Sequence, residues 1–315
     1  KMQNEKLKNL TLRDAFIYSL QKIGEKDKKV ILLTNDQGAP ALDDYRKNLP
    51  KQFFNAGISE QNIVATAAGL SLAGFKPYIY SISSFIIYRT IEYIKIDMCG
   101  MKQPVKIFGV GSGYSYPEDG LTHHSTEDIA LTKALPNLDI FNPSDPLLTK
   151  DIVNYVYKSK NPSFIRLDRK FCDTIFLKKN NINDGFRVIK KSKRKEKYCI
   201  ISSGFFVPKL NKLFNNQNID FDFIDFYRLK KFDKKKFQNT LKKYKKIISI
   251  EEHSREFGIG TIISEIITDN FLKTKLLRLG LLENSTFGYG NREQLLSKNG
   301  LSNNNIIIKM KKFFI

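Results

Sequence analysis

The sequence predicts an α/β protein of two doubly wound domains, in which a larger domain with a parallel sheet precedes a smaller α/β domain. Short apolar runs recur along the chain and alternate with stretches in which apolar residues have helical spacing. Strands that are apolar on both faces need helices on both sides of their sheet, which is typical of parallel sheets. A length of 315 residues is sufficient for two such cores.

The first series of elements extends from about residue 10 to about residue 170. The stretch TLRDAFIYSLQKIG has a Thr11/Asp14 capping-box pattern at its start and Gly24 at its end, which are boundary signals of a helix. The elements that follow are the strands VILLTND, KPYIYS, PVKIFGV, LDIFN and PSFIRLD and the helices SEQNIVATAAGLSLAG, FIIYRTIEYIKIDMCG, TEDIALTKAL and one over residues 145–158. Helical crossovers between successive strands predict that the strands are parallel.

A polar and basic stretch over residues 174–196, which contains NNIND, has the composition of an interdomain linker. A second alternating series follows it. Its strands are YCIISSG, IDFDFIDFY, KKIISIEEH and KLLRLGL, and its helices are FDKKKFQNTLKKY, one after GIGT and others near REQLLSKNG. We therefore predict a first domain at residues 1–180 and a second domain at residues 181–315.

The net charge of +21 is concentrated in the second predicted domain. Residues 1–180 carry 25 Lys and Arg against 19 Asp and Glu, whereas residues 181–315 carry 28 against 13. Runs such as FDKKKF and LKKYKK have apolar residues at helical spacing, so their lysines are expected on a solvated helix face. No zinc-finger, RNP or helix-turn-helix pattern accompanies this charge, and nucleic-acid binding is not expected.

The cysteines and the hydropathy indicate the compartment. Cys99, Cys172 and Cys199 are odd in number, widely spaced and without a CxxC pair, which is typical of reduced thiols in a cytoplasmic protein. No apolar run approaches the ~20 residues that span a bilayer, and the N-terminal residues lack the apolar region of a signal peptide. The sequence therefore predicts a cytoplasmic protein without a membrane segment.

Glu60 is the first candidate site residue, because it stands at the start of an otherwise apolar helix in FNAGISEQNIVATAAGLSLAGFKPYIYS. After Glu60 no charge occurs until Lys76. One interpretation is a solvated acid that is stabilised by the helix dipole. The other is a desolvated acid that shares a proton with a ligand nitrogen, since Gly57 and the small residues of the helix allow a close approach.

Two further groups follow predicted strands at their carboxyl ends, where open α/β sheets bind ligands. Phe85 and Tyr88 in FIIYR are either core aromatics or a stacking surface for a flat heterocycle. The stretch PEDGLTHHSTED holds two of the three histidines beside Glu118 and Asp119. Adjacent histidines point apart and no third ligand has suitable spacing, so a substrate site that binds hydroxyls and moves protons is favoured over a metal site.

Two arginines, Arg166 and Arg169, end the predicted strand PSFIRLDR. They are either surface cations or ligands for a substrate. Their forked donors at the carboxyl end of a strand suit a phosphate or a carboxylate, so both are candidate substrate-binding residues.

Six motifs in order resemble the C-terminal half of transketolase. They are GISEQN, F-x-x-x-R-x-x-E, EDGLTHH, LPNLDIFNPSD, PSFIRLDR and ISIEEHSREFGIGT. The resemblance extends from Leu10 to Gly300 and comprises a pyrimidine-binding domain followed by a transketolase C-terminal domain. Each motif is weak alone, and six in the order and spacing of the family form a specific pattern.

The resemblance implies that thiamine diphosphate binds between this chain and a second, diphosphate-binding domain. Glu60 would hydrogen-bond N1′ of the aminopyrimidine and favour its imino tautomer. Phe85 matches the aromatic residue that stacks on this ring, and Tyr88 and Arg89 would belong to the same pocket.

The resemblance also implies which residues bind the substrate. Asp119 and His123 match the pair that contacts sugar hydroxyls, and His123 would in addition take part in catalysis. Arg169 matches the arginine that binds the substrate phosphate, and Arg13 in TLRDAF matches a second phosphate contact. Arg166 would lie beside Arg169.

Three departures from the family pattern modify these expectations. The sequence has no GDG motif, so Mg²⁺ and the diphosphate are expected to be held by a separate N-terminal subunit, in an α2β2 heterotetramer. The loop GVGSGYSYPEDG lacks the upstream histidine that many transketolases direct at substrate phosphate. His124 stands where the family usually has Gln, so the two sugars are expected to be unusual and not both phosphorylated.

The sequence thus predicts the C-terminal subunit of a split transketolase, which transfers a two-carbon ketol unit from a ketose to an aldose. One alternative is the β subunit of a 2-oxo acid dehydrogenase, although DGLTHH and LTKALPNL favour transketolase. A second is an enzyme similar to 1-deoxyxylulose-5-phosphate synthase, which normally has all its domains in one chain. A third, from a different class, is a basic binding or scaffold protein that has lost catalysis.

Overall fold

The structure, a computed structural model, describes residues 5, 7–175, 181–193, 197–215, 219–283 and 289–314. The first part of the chain alternates between helices and strands. These elements are α1 (Leu12–Gly24), β1 (Val30–Thr34), α2 (Pro40–Asn48), β2 (Phe53–Asn55), α3 (Glu60–Leu72), β3 (Lys76–Ile82), α4 (Ser83–Tyr93), β4 (Lys106–Val110), α5 (Asp128–Ala134), β5 (Asp139–Phe141), α6 (Pro146–Lys158) and β6 (Ser163–Leu167).

The second part of the chain has the same alternation. Its elements are β7 (Phe186–Lys190), β8 (Tyr198–Ser202), α7 (Phe206–Asn215), β9 (Asp222–Phe226), β10 (Arg228–Lys230), α8 (Lys234–Leu241), β11 (Lys246–Ser254), α9 (Ile259–Asp269), β12 (Lys275–Leu281), α10 (Arg292–Lys298) and α11 (Asn303–Phe314). No helix within the described ranges is long and apolar enough to cross a membrane.

Two sheets confirm the predicted fold class of two doubly wound α/β domains. The first has seven strands in the order β10-β5-β6-β4-β3-β1-β2, and the second has five in the order β12-β11-β8-β9-β7. All neighbouring strands are parallel except β10 with β5 and β7 with β9. Both sheets therefore carry an antiparallel edge strand, which the sequence interpretation did not include.

Several boundaries differ from the prediction. The interdomain linker was placed at residues 174–196, and this is wrong for Phe186–Lys190, which form β7 and pair with β9. The predicted domain boundary after residue 180 adjoins residues 176–180, which lie outside the described residues, and it stays a prediction. The predicted helix FIIYRTIEYIKIDMCG ends as an α-helix at Tyr93 and continues as a π-helical turn over Ile94–Gly100.

The helix that positions the N-terminal site residues begins as the sequence predicts. The Thr11 hydroxyl oxygen accepts a hydrogen bond from the backbone N–H of Asp14 and donates one to the Asp14 carboxylate. These bonds satisfy a donor that the first turn of a helix leaves free. They therefore fix the start of α1 and, with it, the position of Arg13.

Buried ion pairs join the second part of the chain to the first sheet. Arg228 in β10 pairs with Asp139 in β5 at 2.6 Å between Nη2 and Oδ2. Arg292 in α10 pairs with Asp168, at 2.6 Å, and with Glu252, at 2.8 Å. All five side chains are buried. Because a buried charge is costly without its partner, the Arg228 pair holds β10 in the first sheet and the Arg292 cluster holds the two sheets in one arrangement.

His253 lies in the same junction as a neutral imidazole. Its Nδ1 lies 2.9 Å from the carbonyl oxygen of Ser254, which can only accept, and its Nε2 accepts from the backbone N–H of Ile129 at 3.2 Å. Burial lowers the pKa of His253 to about 4, although the Asp128 carboxylate opposes this shift. Folding therefore keeps this ring unprotonated well below the ordinary pKa of histidine.

This placement predicts a loss of stability in mild acid. Between about pH 6.5 and pH 4 the unfolded histidine binds a proton and the folded one does not, so unfolding becomes more favourable as pH falls. The free energy of unfolding is expected to lose up to about 1.4 kcal/mol per pH unit in this window relative to the His253→Gln variant. Urea titrations of both proteins at pH 7.5, 6 and 5, chosen to bracket the histidine pKa, measure this difference. Parallel pH profiles for the two proteins would contradict the assignment.

Candidate active site

The candidate site lies at the edge of the first sheet where its parallel strands end. Asn35 follows β1, Phe85 lies in the helix that follows β3, the loop with Tyr116 follows β4, and Arg169 follows β6. Parallel strands with helical crossovers bring their carboxyl ends to one edge, so residues far apart in sequence meet there.

Glu60 is the first residue of α3, and its side chain is buried, with 3% of the residue exposed. The interpretation of Glu60 as a solvated acid at the start of a helix is therefore wrong. Nη1 of Arg89, from α4, donates to Oε1 of Glu60 at 2.8 Å, and the Arg89 side chain is 45% exposed. The structure thus brings two predicted site residues together as an ion pair with one buried member.

A row of contacts extends from this ion pair toward the loop after β4. The Arg89 guanidinium carbon lies 4.4 Å from the centroid of the Phe85 ring. The Phe85 and His123 ring centroids are 4.9 Å apart in an edge-on arrangement, and those of His123 and Tyr116 are 5.7 Å apart. His123 is therefore placed between the predicted cofactor residues and the remainder of the site.

The loop that carries His123 is held by local hydrogen bonds. The Ser84 hydroxyl donates to the carbonyl oxygen of Thr122 at 2.8 Å, and the Thr122 hydroxyl lies 3.0 Å from Nδ1 of His123. Asp119 lies in the same loop and is exposed. The ring of His124 points away from that of His123, as expected for adjacent histidines. It is buried, and its centroid lies 4.8 Å from that of the Tyr114 ring in an edge-on arrangement.

The far end of the row is basic. The Arg169 guanidinium carbon lies 4.3 Å from the centroid of the Tyr116 ring, and its Nε donates to the carbonyl oxygen of Ser115 at 3.1 Å. Burial raises the pKa of the Tyr116 phenol, and the positive charges of Arg169 and Arg13 oppose this shift. Arg13 also pairs with Asp14 at 2.8 Å.

Two predicted site residues are placed elsewhere. Arg166 is buried, and its Nε donates to Asp128 at 2.8 Å while its Nη2 donates to the carbonyl oxygens of Ser125 and Glu252. This arrangement favours a structural role for Arg166, because its donors point into the junction of the domains, and a contact with substrate stays a prediction.

Tyr88 likewise has its own partner. Its hydroxyl donates to Oε2 of Glu127 at 2.7 Å. Tyr88 therefore links α4 to the end of the loop that carries His123. This contact does not involve Glu60 or Phe85.

The sequence interpretation missed Tyr116 and Asn35. Tyr116 appears in the quoted loop GVGSGYSYPEDG, but no spacing rule distinguishes it from Tyr114, which is buried. Asn35 is buried, its Nδ2 donates to the carbonyl oxygen of Gly57 at 3.1 Å, and its Oδ1 has no hydrogen-bond partner among the described residues. A position directly after the apolar run of β1 was the only sequence signal for Asn35.

The chain matches two known protein domains. Residues 8–173 match the transketolase pyrimidine-binding domain, and residues 188–306 match the transketolase C-terminal domain. The chain belongs to the transketolase family. The predicted resemblance is thereby confirmed, with the two domains in the predicted order.

Relatives of this transketolase-family chain include separate subunits of similar length. It is 30% identical over 304 residues to a protein of Methanocaldococcus jannaschii described as a transketolase C-terminal section, covering 94% of this chain and 93% of the relative. It is 27% identical over 310 residues to one of the subunits of the apulose-4-phosphate transketolase of Phocaeicola vulgatus, covering 94% and 95%. A solved structure of a split gene transketolase, described as an inactive β4 tetramer, superposes with a TM-score of 0.85 at 27% identity, covering 96% and 98%.

Thiamine diphosphate is the cofactor of enzymes with this pyrimidine-binding domain, and the residues present fit one end of it. A flat ring with nitrogen donors needs an apolar surface and buried acceptors, which Phe85, the Glu60 carboxylate and the unpartnered Oδ1 of Asn35 provide. Space is open beside them, because an added Cβ at Gly57 would meet no atom within 4 Å. For the metal end, no three His, Cys, Asp or Glu side chains of the described residues are grouped as ligands.

Proposed function

We propose that this chain is the C-terminal subunit of a two-chain transketolase that transfers a two-carbon ketol unit from a ketose to an aldose. The observation that carries the proposal is the continuous row Glu60, Arg89, Phe85, His123, Tyr116 and Arg169. It joins the candidate cofactor residues to the candidate substrate residues, and the described part of the chain has no group of three or more His, Cys, Asp or Glu that could hold a metal ion. Relatives that are themselves separate subunits support the division into two chains.

Three residues of this chain would hold the cofactor ring. Thiamine diphosphate, when bound, supplies the nucleophilic carbon that cleaves the carbon–carbon bond of the ketose and carries the two-carbon unit. Glu60 binds a nitrogen of the aminopyrimidine ring and shares a proton with it, because burial excludes water from the carboxylate. Phe85 would pack against the same ring, and Asn35 Oδ1, which is buried without a partner among the described residues, would accept a hydrogen bond from the ring's amino group.

The substrate residues act on the sugar. His123 and Asp119 bind the hydroxyl groups, and His123 moves a proton at the sugar oxygen. The contact of its Nδ1 with the Thr122 hydroxyl orients the His123 ring. Arg169 and Arg13 bind an anionic group at the other end of the sugar. The relative named for apulose 4-phosphate supports a sugar phosphate as the substrate class.

The partner would be an N-terminal subunit that carries the GDG motif and holds Mg²⁺ and the diphosphate, in a heterotetramer of two chains of each kind. Exposed apolar side chains at both ends of α3 and in the edge strand β2 fit such a partner. Ile58, two residues before Glu60, is 78% exposed, Leu72 at the far end of α3 is 62% exposed, and Phe54 in β2 is 51% exposed. Exposed apolar side chains of this kind typically mark a protein interface.

Reconstitution tests the proposed function. The isolated chain is expected to show no ketol transfer, and mixing it with the N-terminal subunit from the same organism is expected to produce activity that depends on thiamine diphosphate and Mg²⁺. The assay uses a panel of ketose donors and aldose acceptors with and without phosphate, including apulose 4-phosphate. Full activity of the isolated chain would contradict the split site, and an inactive assembled pair across the panel would contradict the function.

A further inference from the structure

Tyr116 lies between the two ends of the proposed substrate site. Its ring centroid is 5.7 Å from that of His123 on one side and 4.3 Å from the Arg169 guanidinium carbon on the other. A sugar that contacts both His123 and Arg169 must therefore pass along Tyr116. The residue is half-buried, and its phenol oxygen has no hydrogen-bond partner within the described part of the chain.

The backbone is shaped to accommodate this ring. Gly111, directly after β4, has φ +101°, and a Cβ added there would lie 2.4 Å from Cε2 of Tyr116. Any side chain at position 111 would therefore clash with the ring, and an L-residue would in addition be strained at this φ. The Tyr116 ring thus occupies the space that a side chain at position 111 would need.

Arg169 is oriented by this ring and keeps its outer donors available. Its backbone N–H donates to the Ser115 hydroxyl at 3.3 Å and its Nε to the Ser115 carbonyl oxygen at 3.1 Å, while the guanidinium plane covers Tyr116. The two terminal nitrogens make no hydrogen bond to any described residue. A guanidinium that is held at Nε and on one face presents those two donors as a fork, which matches two oxygens of a phosphate.

We propose that Tyr116 determines substrate specificity: its ring holds Arg169 in the orientation that binds a phosphate on the sugar, and its hydroxyl donates to that phosphate or to the adjacent sugar oxygen. The inference rests on the proposed function, because that function defines which sugar is bound. Binding of an anion at Arg169 does not depend on it and is measurable on the isolated chain. Tyr116 acts here as a positioning residue for Arg169 and as a direct ligand.

Two substitutions separate the ring from the hydroxyl. In the assembled enzyme, the ratio of kcat/KM for a phosphorylated acceptor to that for the same aldose without phosphate is measured. Tyr116→Leu removes the cation–π contact and the donor, so the ratio is expected to fall about tenfold. Tyr116→Phe keeps the ring and loses one hydrogen bond, so the expected fall is about threefold. Tyr93→Leu, at the end of α4 and outside the site, is the matched control.

The outcome that overturns the specificity role is an equal loss for both acceptors in Tyr116→Leu, because a merely structural role would not distinguish the phosphate. A ratio that is unchanged in both variants also overturns it. A rise in KM for the phosphorylated acceptor, with a smaller change in kcat, supports it.

A binding measurement on the isolated chain separates this inference from the proposed function. The sequence has no tryptophan, so Tyr116→Trp places a single tryptophan, which can be excited apart from the tyrosines, against Arg169. Titration with inorganic phosphate is expected to change its fluorescence saturably, whereas sodium chloride at equal ionic strength does not, and the added substitution Arg169→Leu removes the response. No response to phosphate, with ketol transfer intact, would overturn the inference alone. Phosphate binding together with an inactive assembled enzyme would overturn the proposed function alone.

Discussion

Replacing Glu60 by Gln in the assembled enzyme is expected to lower ketol transfer by about a hundredfold to ten-thousandfold, the range that a positioned acid–base group contributes. The substitution keeps the size of the side chain but removes the group that exchanges a proton with the cofactor ring. The fold is expected to remain, because the partner that loses its counterion, Arg89, is 45% exposed and can be hydrated.

The measurement has two parts. Steady-state turnover gives the loss of activity, and hydrogen–deuterium exchange at the reactive carbon of bound thiamine diphosphate, followed by NMR, reports whether the loss lies in activation of the cofactor. Glu92→Gln is the matched control, because Glu92 is exposed, belongs to the same F-x-x-x-R-x-x-E motif and is one turn from Arg89. Unchanged turnover in Glu60→Gln would remove Glu60 from the mechanism.

Replacing Arg292 by Met is expected to lower the free energy of unfolding by about 3–5 kcal/mol, because two carboxylates, Asp168 and Glu252, would stay buried without their cation. The effect should extend to the active site. Asp168 also accepts hydrogen bonds from the hydroxyls of Ser112 and Ser115, at 3.1 Å each, and so anchors the loop that carries Tyr116.

Urea or thermal unfolding measures this effect, with Lys209→Met as the matched control. The Lys209–Glu293 pair is similar in length, at 2.7 Å, but Glu293 is exposed, so this change should cost at most about 1 kcal/mol. Combining Arg292→Met with Asp168→Asn and Glu252→Gln removes the unpaired charges and should recover much of the loss. Equal destabilisation by Arg292→Met and Lys209→Met would show that the buried cluster does not hold the domains together.

The candidate site shows which kinds of residue a sequence can identify. Glu60, Phe85, Arg89, His123 and Arg169 were predicted, and the structure places them in one row. Glu60 begins α3, Phe85 and Arg89 lie in the helix that follows β3, and His123 and Arg169 lie in segments that follow β4 and β6, so chain topology brings them to the same edge of the sheet. Their assignment to cofactor or to substrate stays a prediction, which the variants above test.

The residues that were missed or misplaced depend on the direction of a side chain. Arg166 and Arg169 differ by three positions, yet Arg166 points into the domain junction and Arg169 lies over Tyr116. Residues 174–196 were predicted as a linker because they are polar, although Phe186–Lys190 pair with β9 as an edge strand. Edge strands have weak apolar periodicity, since one side has no neighbouring strand.

The sequence by itself determined the α/β class, the order of most strands and helices, and the family, and it singled out Glu60 as the candidate acid. These features follow from local periodicity, from helix boundary signals and from motifs, all of which are contiguous in the chain. Only the tertiary structure decided that β10 joins the first sheet, that Arg89 neutralises Glu60 and that Tyr116 stands between His123 and Arg169. Such contacts join residues that are distant in the chain, and their geometry exists only after the sheets are assembled and the buried charges find their partners.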